Sequence, residues 1–236
     1  MFEVWTMMRK EFAELAGNRR FFLVFLIAVL AMAFIPSLTY THHHAGLGGI
    51  GVTFLAFYIP FAAVIVVANT APDLVLHERV GHTLDYLLTT RLSDRAIFGA
   101  KVMTAFLVGY VAAMLAVGAQ LLAVAILSRN GLHWLYLAVP SARIIVFGVT
   151  AGASLYVAVV GTFVALRVGE QRAAYMVTIL SVFVLAVPFI VGWIPLSLTT
   201  QGVGRDAEGL AIIALALNVI GLRLFRRDML VLYLQE

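Results

Sequence analysis

Residues 2–16 place Phe2, Trp5, Met8, Phe12 and Leu15 at spacings of three and four, with Glu3, Lys10, Glu11 and Glu14 falling mostly between them. That period predicts an amphipathic helix over residues 1–18, suited to lie in a membrane interface. Asn18-Arg19-Arg20 closes it, and the pattern then changes from periodic to almost uniformly apolar. Six apolar segments follow, at about 21–40, 50–71, 102–128, 144–166, 173–194 and 209–225. Each is close to the roughly 20 residues that cross a hydrocarbon layer. The fifth is interrupted at Pro188 and is the segment expected to break or re-enter; the last is short, with Arg223 snorkelling to the interface. The expected fold is all-α: a single transmembrane domain over 1–236, six spanning helices, an N-terminal interfacial helix and a loop over 72–101.

That loop returns to helical period. Leu76, Val80, Leu84, Leu87 and Leu88 recur on one face, with His77, Arg79, His82 and Asp85 around them. A short amphipathic helix is expected there, which can lie on lipid, pack on its own bundle or dock into a partner. Ser93-Asp94-Arg95 then suits the start of the third span, because Ser and Asp accept from free backbone N–H groups.

Composition fits the pattern. The chain is 63% hydrophobic and 12% charged over 236 residues, with a mean hydropathy of +1.02; a soluble domain carries about 25% charged residues. Such a chain needs lipid as solvent for most of its exterior. The net charge of +4 is distributed, not patched. Thirteen Lys and Arg flank one set of loops and three the other, which places both termini and 72–101 in the cytoplasm and favours an even number of spans. This charge reads as topology and not as nucleic-acid binding. Phe21–Leu30 followed by Ala31-Met32-Ala33 has the outline of a cleaved signal, but the long acidic and aromatic segment before it argues for a retained span.

Candidate chemistry is sparse. There is no cysteine, hence no disulfide and no thiolate ligand or nucleophile. His42-His43-His44 are adjacent, yet three consecutive side chains do not converge on one ion, so the run reads as a solvated outer loop. Asn69, Gln120 and Asn218 are amides within predicted spans; they bond between helices or line a translocation path. Gly148 and Gly152 allow close helix approach, within the bundle or at a dimer seam. Glu170-Gln171-Arg172 reads as a second cytoplasmic contact or a solvated turn. The near absence of charge deep in the spans counts against an ion-coupled carrier, and no set suited to intramembrane hydrolysis stands out.

The loop adds a resemblance. Glu78-Arg79, Gly81 with Thr83-Leu84-Asp85, Leu87-Leu88, Ser93 with Arg95, and Gly99 with Lys101 resemble the cytoplasmic loop of type-2 ABC transporter permeases, the exporter-type membrane subunits. His82 is inserted, Asp85 stands for Glu, Arg91 stands where Pro is usual, and Ala100 separates Gly99 from Lys101. The N-terminal helix with its Asn-Arg-Arg and the closing Phe225-Arg226-Arg227-Asp228 are similar too, so the resemblance covers nearly the whole chain. It implies a permease of an ATP-driven exporter in a prokaryotic plasma membrane, paired with a second copy as a homodimer and with a separate cytoplasmic ATPase. Glu78, Arg79, Gly81, Thr83, Leu84, Asp85, Leu87 and Leu88 would then belong to a coupling helix that docks on the ATPase. No G-x-x-x-x-G-K-[ST] loop occurs here, so ATP and magnesium are expected on the partner, and this chain is expected to carry no catalytic residue, metal or cofactor. A force-transmitting anchor for an ATPase-driven envelope assembly and an ion-coupled carrier are the alternatives.

Overall fold

The computed structural model describes residues 2–43, 53, 55–80, 93–127, 138–168, 170, 172–183 and 200–224. Its long elements are all helices, and no strand occurs among the described residues. They are α1 (Phe2–Gly17), α2 (Arg19–His43), α3 (Ile59–Val80), α4 (Asp94–Leu127), α5 (Pro140–Arg167), α6 (Arg172–Phe183) and α7 (Thr200–Leu224). Four of the described helices, α2 to α5, are long and apolar enough to cross a membrane.

The chain reads as a membrane protein because of where its large apolar side chains lie. Phe22, Ile27 and Ile35 of α2, Leu115 and Leu122 of α4, Leu180 and Phe183 of α6, and Ile212 and Leu215 of α7 are all exposed. In water such a belt would be an aggregation surface; against acyl chains it costs nothing. The core is built instead from small residues, with Ala62, Ala63, Val66 and Val67 of α3 packed against Ala105, Ala112 and Ala116 of α4. Small side chains let backbones approach where lipid supplies no hydrophobic driving force between helices. α3 is central, packed on α4, α5 and α2, while α7 lies on α5.

Helix starts follow local chemistry. Asn18 Oδ1 accepts from the backbone N–H groups of Arg20 and Phe21 at 3.0 and 3.3 Å, which caps α2 directly behind α1. Ser93 does the same for α4, its Oγ accepting from Ala96 N–H at 3.3 Å, as its place in the sequence suggests. Pro140 opens α5 at a position whose N–H would be orphaned in any case. α5 then widens into a π-helical stretch, Ile144–Val149, before continuing as α-helix from Thr150. Within the spans, hydroxyls bond back into their own helices: Ser37 to Ala33 O, Thr70 to Val66 O, Ser154 to Thr150 O and Thr162 to Ala158 O, at 2.6–2.7 Å. In lipid each of these groups needs a protein partner.

Several features differ from the sequence reading, among them α7, expected as a short segment from 209, which begins at Thr200. α3 runs through Pro72 to Val80, and α4 begins at Asp94, so both described ends of the 72–101 segment are continuous with the spans and not loop. Pro72 removes only the N–H that would reach Ala68 O, and its ring is accommodated at Gly161, where an added Cβ would meet Pro72 Cδ at 3.4 Å. Another difference is in α1: Glu11, expected on the polar face, is inside, while Trp5 of the apolar stripe is 64% exposed.

Candidate functional site

α1 is fastened to the bundle by charge. Glu11, Glu78 and Lys101 are 1%, 3% and 4% exposed. Lys101 Nζ donates to Glu11 Oε1 at 3.0 Å and to Leu74 O at 2.6 Å, and pairs with Glu78 Oε2 at 2.7 Å. An ammonium has three protons and no acceptor capacity, so three acceptors satisfy it fully. Lys10, at the rim, bridges Glu78 Oε1 at 3.2 Å and Glu14 Oε1 at 3.4 Å. The result is a buried clasp that joins α1 to the last turn of α3 and the second turn of α4.

Two cations face three carboxylates here, and the balance shows in the proton affinities. Burial pushes the Glu11 carboxyl above its ordinary 4.5, with Lys101 pulling the other way and Glu78 adding to the rise. Burial works against the charge on Lys10, but Glu78, Glu14 and Glu11 together hold its ammonium above the ordinary 10.5. One atom of the cluster is left over: Glu11 Oε2 is buried and has no hydrogen-bond partner among the described residues.

Beside the clasp a cleft of about 1050 Å³ opens between α1, α2, α3 and α6. Its α3 wall carries Asn69, Asp73 and His77, spaced by four and therefore on one face of the helix. Tyr175 of α6 donates its hydroxyl to Asp73 Oδ1 at 3.1 Å. Asn69 donates to Ile65 O at 2.7 Å. Glu11 and Glu14 close the α1 side, and Arg20 and Arg172 stand exposed at the rim with no ion pair among the described residues. Phe21, Val24 and Phe25 of α2 form an apolar wall facing these groups. The cleft thus has an acidic side, a basic rim and a greasy flank.

The sequence-derived site residues separate accordingly. Asn69 lines the cleft. Gln120 does not: fully buried on α4, it donates to Leu55 O at 3.2 Å, completing the turn that precedes α3. Asn218 lies half-buried on α7, away from the cleft lining. The three amides therefore do not share one cavity. Glu78 is a buried member of the clasp. The backbone of Arg79 belongs to the last turn of α3. Gly81, Thr83, Leu84, Asp85, Leu87 and Leu88 lie outside the described residues, as do His44 and Pro188. No group of three or more metal-ligating side chains occurs among the described residues. Gly148 and Gly152 face α7, where added Cβ atoms would meet Ala207 Cβ at 3.3 Å and Leu210 Cβ at 3.1 Å, so this pair serves packing inside the bundle.

Asp73, Tyr175 and the partnership of Glu11 with Lys101 escape sequence reasoning. A boundary drawn at Pro72 puts Asp73 in a loop; the spacing of Asn69, Asp73 and His77 was the available signal. Nothing local marks Glu11 and Lys101 as partners across 90 residues. The chain matches no protein-family model and no curated protein.

Proposed function

We propose that the chain is the permease subunit of an ATP-driven exporter, working as a pair of copies with a separate cytoplasmic ATPase in a prokaryotic plasma membrane. The clasp carries this reading. α3 and α4 flank residues 81–92 as unbroken helices, and Lys101 ties their roots to each other and to α1 through Leu74 O, Glu78 and Glu11. A push delivered to 81–92 would therefore move α1, α3 and α4 together as one lever, which is what coupling to an external motor requires. Side chains buried in ion pairs resist sliding better than an apolar contact of the same area, because separating them strands a charge.

On this reading 81–92 supplies the docking face through Leu84, Leu87 and Leu88, while Glu78 holds the lever stiff. ATP and magnesium belong to the partner, six spans cross the membrane, and both termini are cytoplasmic. The test is co-purification with the ATPase encoded beside the chain. The wild type is expected to bring it down and Leu84→Arg to release it. Retention by Leu84→Arg and Leu88→Arg alike would sink the docking assignment. The same lever would serve a subunit that transmits force without transporting anything, and stimulation of ATPase turnover by a substrate separates the two.

A further inference from the structure

We propose that the cleft between α1, α2, α3 and α6 binds the headgroup of a zwitterionic phospholipid of the ethanolamine type. The inference rests on the chain being embedded in a membrane and not on its partnership with an ATPase. Its first support is Glu11, a 1%-exposed side chain that lines the cleft and whose Oε2 has no hydrogen-bond partner among the described residues. A buried acceptor left without a donor is costly, and native proteins fill such positions with a partner. Its second support is the division of charge. Glu14 and Asp73 stand with Glu11 along the cleft, while Arg20 and Arg172 stand at its rim without an ion pair among the described residues.

A ligand that satisfies both sides carries an anion and an N–H-bearing cation on one short frame. The phosphate would take the guanidiniums, which present planar donor forks suited to phosphate oxygens. The primary ammonium would supply donors to the carboxylates, which a trimethylammonium has none of and a glycerol headgroup supplies without charge. The third support is the apolar wall of Phe21, Val24 and Phe25, which belongs to a helix whose outer face is exposed along its length. The cleft therefore runs from polar groups onto a surface that faces acyl chains. Its volume of about 1050 Å³ lies at the upper end of small-molecule sites and leaves space for the first part of a chain beyond the headgroup.

The experiment is native mass spectrometry of the detergent-purified chain, without ATP or ATPase, titrated with dioleoyl-phosphatidylethanolamine, -phosphatidylcholine and -phosphatidylglycerol. The ethanolamine lipid is expected to be retained roughly tenfold better than the other two. Arg20→Gln with Arg172→Gln is expected to lower that retention by about the same factor. Asp73→Asn keeps an acceptor for Tyr175 and is expected to abolish the preference over phosphatidylglycerol. Ile212→Ala, on the exposed face of α7, is the control and is expected to leave the preference intact. Equal retention of the three lipids, or retention unchanged in both sets of cleft variants, marks annular lipid and overturns the proposal. So does competition by glycerophosphoethanolamine at the potency of the intact lipid, which would make the ligand a soluble phosphoester. Disulfide crosslinking of two Asn69→Cys copies at a rate insensitive to added lipid would likewise overturn it, by giving the cleft to a second copy. Loss of ATPase co-purification alone leaves these readouts untouched, so the two proposals fail separately.

Discussion

At the scale of single residues, Lys101 is the side chain on which the most depends. Its charge is enclosed among Glu11, Glu78 and the Leu74 carbonyl, and among the described residues the other cation paired with these carboxylates is rim-exposed Lys10. Lys101→Ala leaves Glu11 without its ion-pair partner and Glu78 with only the rim ammonium of Lys10 among its described ion pairs. Removing one partner of a buried pair costs about 3–5 kcal/mol. The variant is expected to lose that much in thermal or denaturant unfolding followed by size-exclusion chromatography, and to free α1, which a dye on an engineered cysteine near exposed Trp5 would report as faster tumbling. Arg172→Ala, which removes an exposed charge with no ion pair among the described residues, is expected to fall within about 0.5 kcal/mol of wild type. Similar losses from both variants would mean that the clasp does not hold α1. None of this was legible in the chain. Lys101 sits beside loop positions and counts there as a topology signal, and Glu11 shares the polar side of α1 with Lys10 and Glu14. Ion pairs of distant residues have no period, so a reading based on period assigns them to solvent.

At the scale of elements, the chain was far more readable, because apolar length and caps are local. α1, α2 and α5 stand close to where the pattern puts them, and Ser93 caps α4 as its neighbours suggest, although α4 starts at Asp94 and not at 102. The miss at Pro72 has a simple cause. In water a proline usually ends a helix, whereas within a bundle the only group it orphans is one carbonyl, and Gly161 leaves space for its ring. Close approach governs the glycines as well, and α4 holds a matched pair. A Cβ at Gly109 would collide with Val67 Cγ2 and stand 3.1 Å from Ala63 O, a backbone atom of α3 that cannot turn aside. A Cβ at Gly118 meets nothing within 4 Å. Gly109→Ala is therefore expected to destabilise by about 1–3 kcal/mol through overpacking. Gly118→Ala is expected to be neutral or to gain up to about 1 kcal/mol from helix propensity. Melting curves of the two variants in one detergent decide it, and equal shifts would mean that α3 and α4 do not meet at Gly109.

At the scale of the whole molecule, two independent kinds of information describe the same end of the bundle. The Lys and Arg count assigns Lys10, Arg20, Lys101 and Arg172 to one side of the membrane. The clasp and the cleft bring these four residues together physically, through α1, the end of α3, the start of α4 and the start of α6. Contacts know nothing of the count, and the count knows nothing of contacts. On the topology proposed above, α2 and α3 cross as a pair, as do α4 and α5, with Ala138 at the opposite end. The absence of native cysteine makes this directly measurable. Gly17→Cys has open space around it, and Glu170→Cys and Ala138→Cys replace exposed residues. In inside-out vesicles, an impermeant maleimide is expected to label positions 17 and 170 and to spare 138; in intact cells the pattern should reverse. Labelling of 17 and 138 from one side would mean that α2, α3 or α4, the helices between those positions, fails to cross, and the clasp would then not join α1 to the cytoplasmic roots of two spans. Since a lever needs both of its arms anchored across the bilayer, that outcome would remove the mechanical basis for coupling to a cytoplasmic motor, whatever bound to residues 81–92.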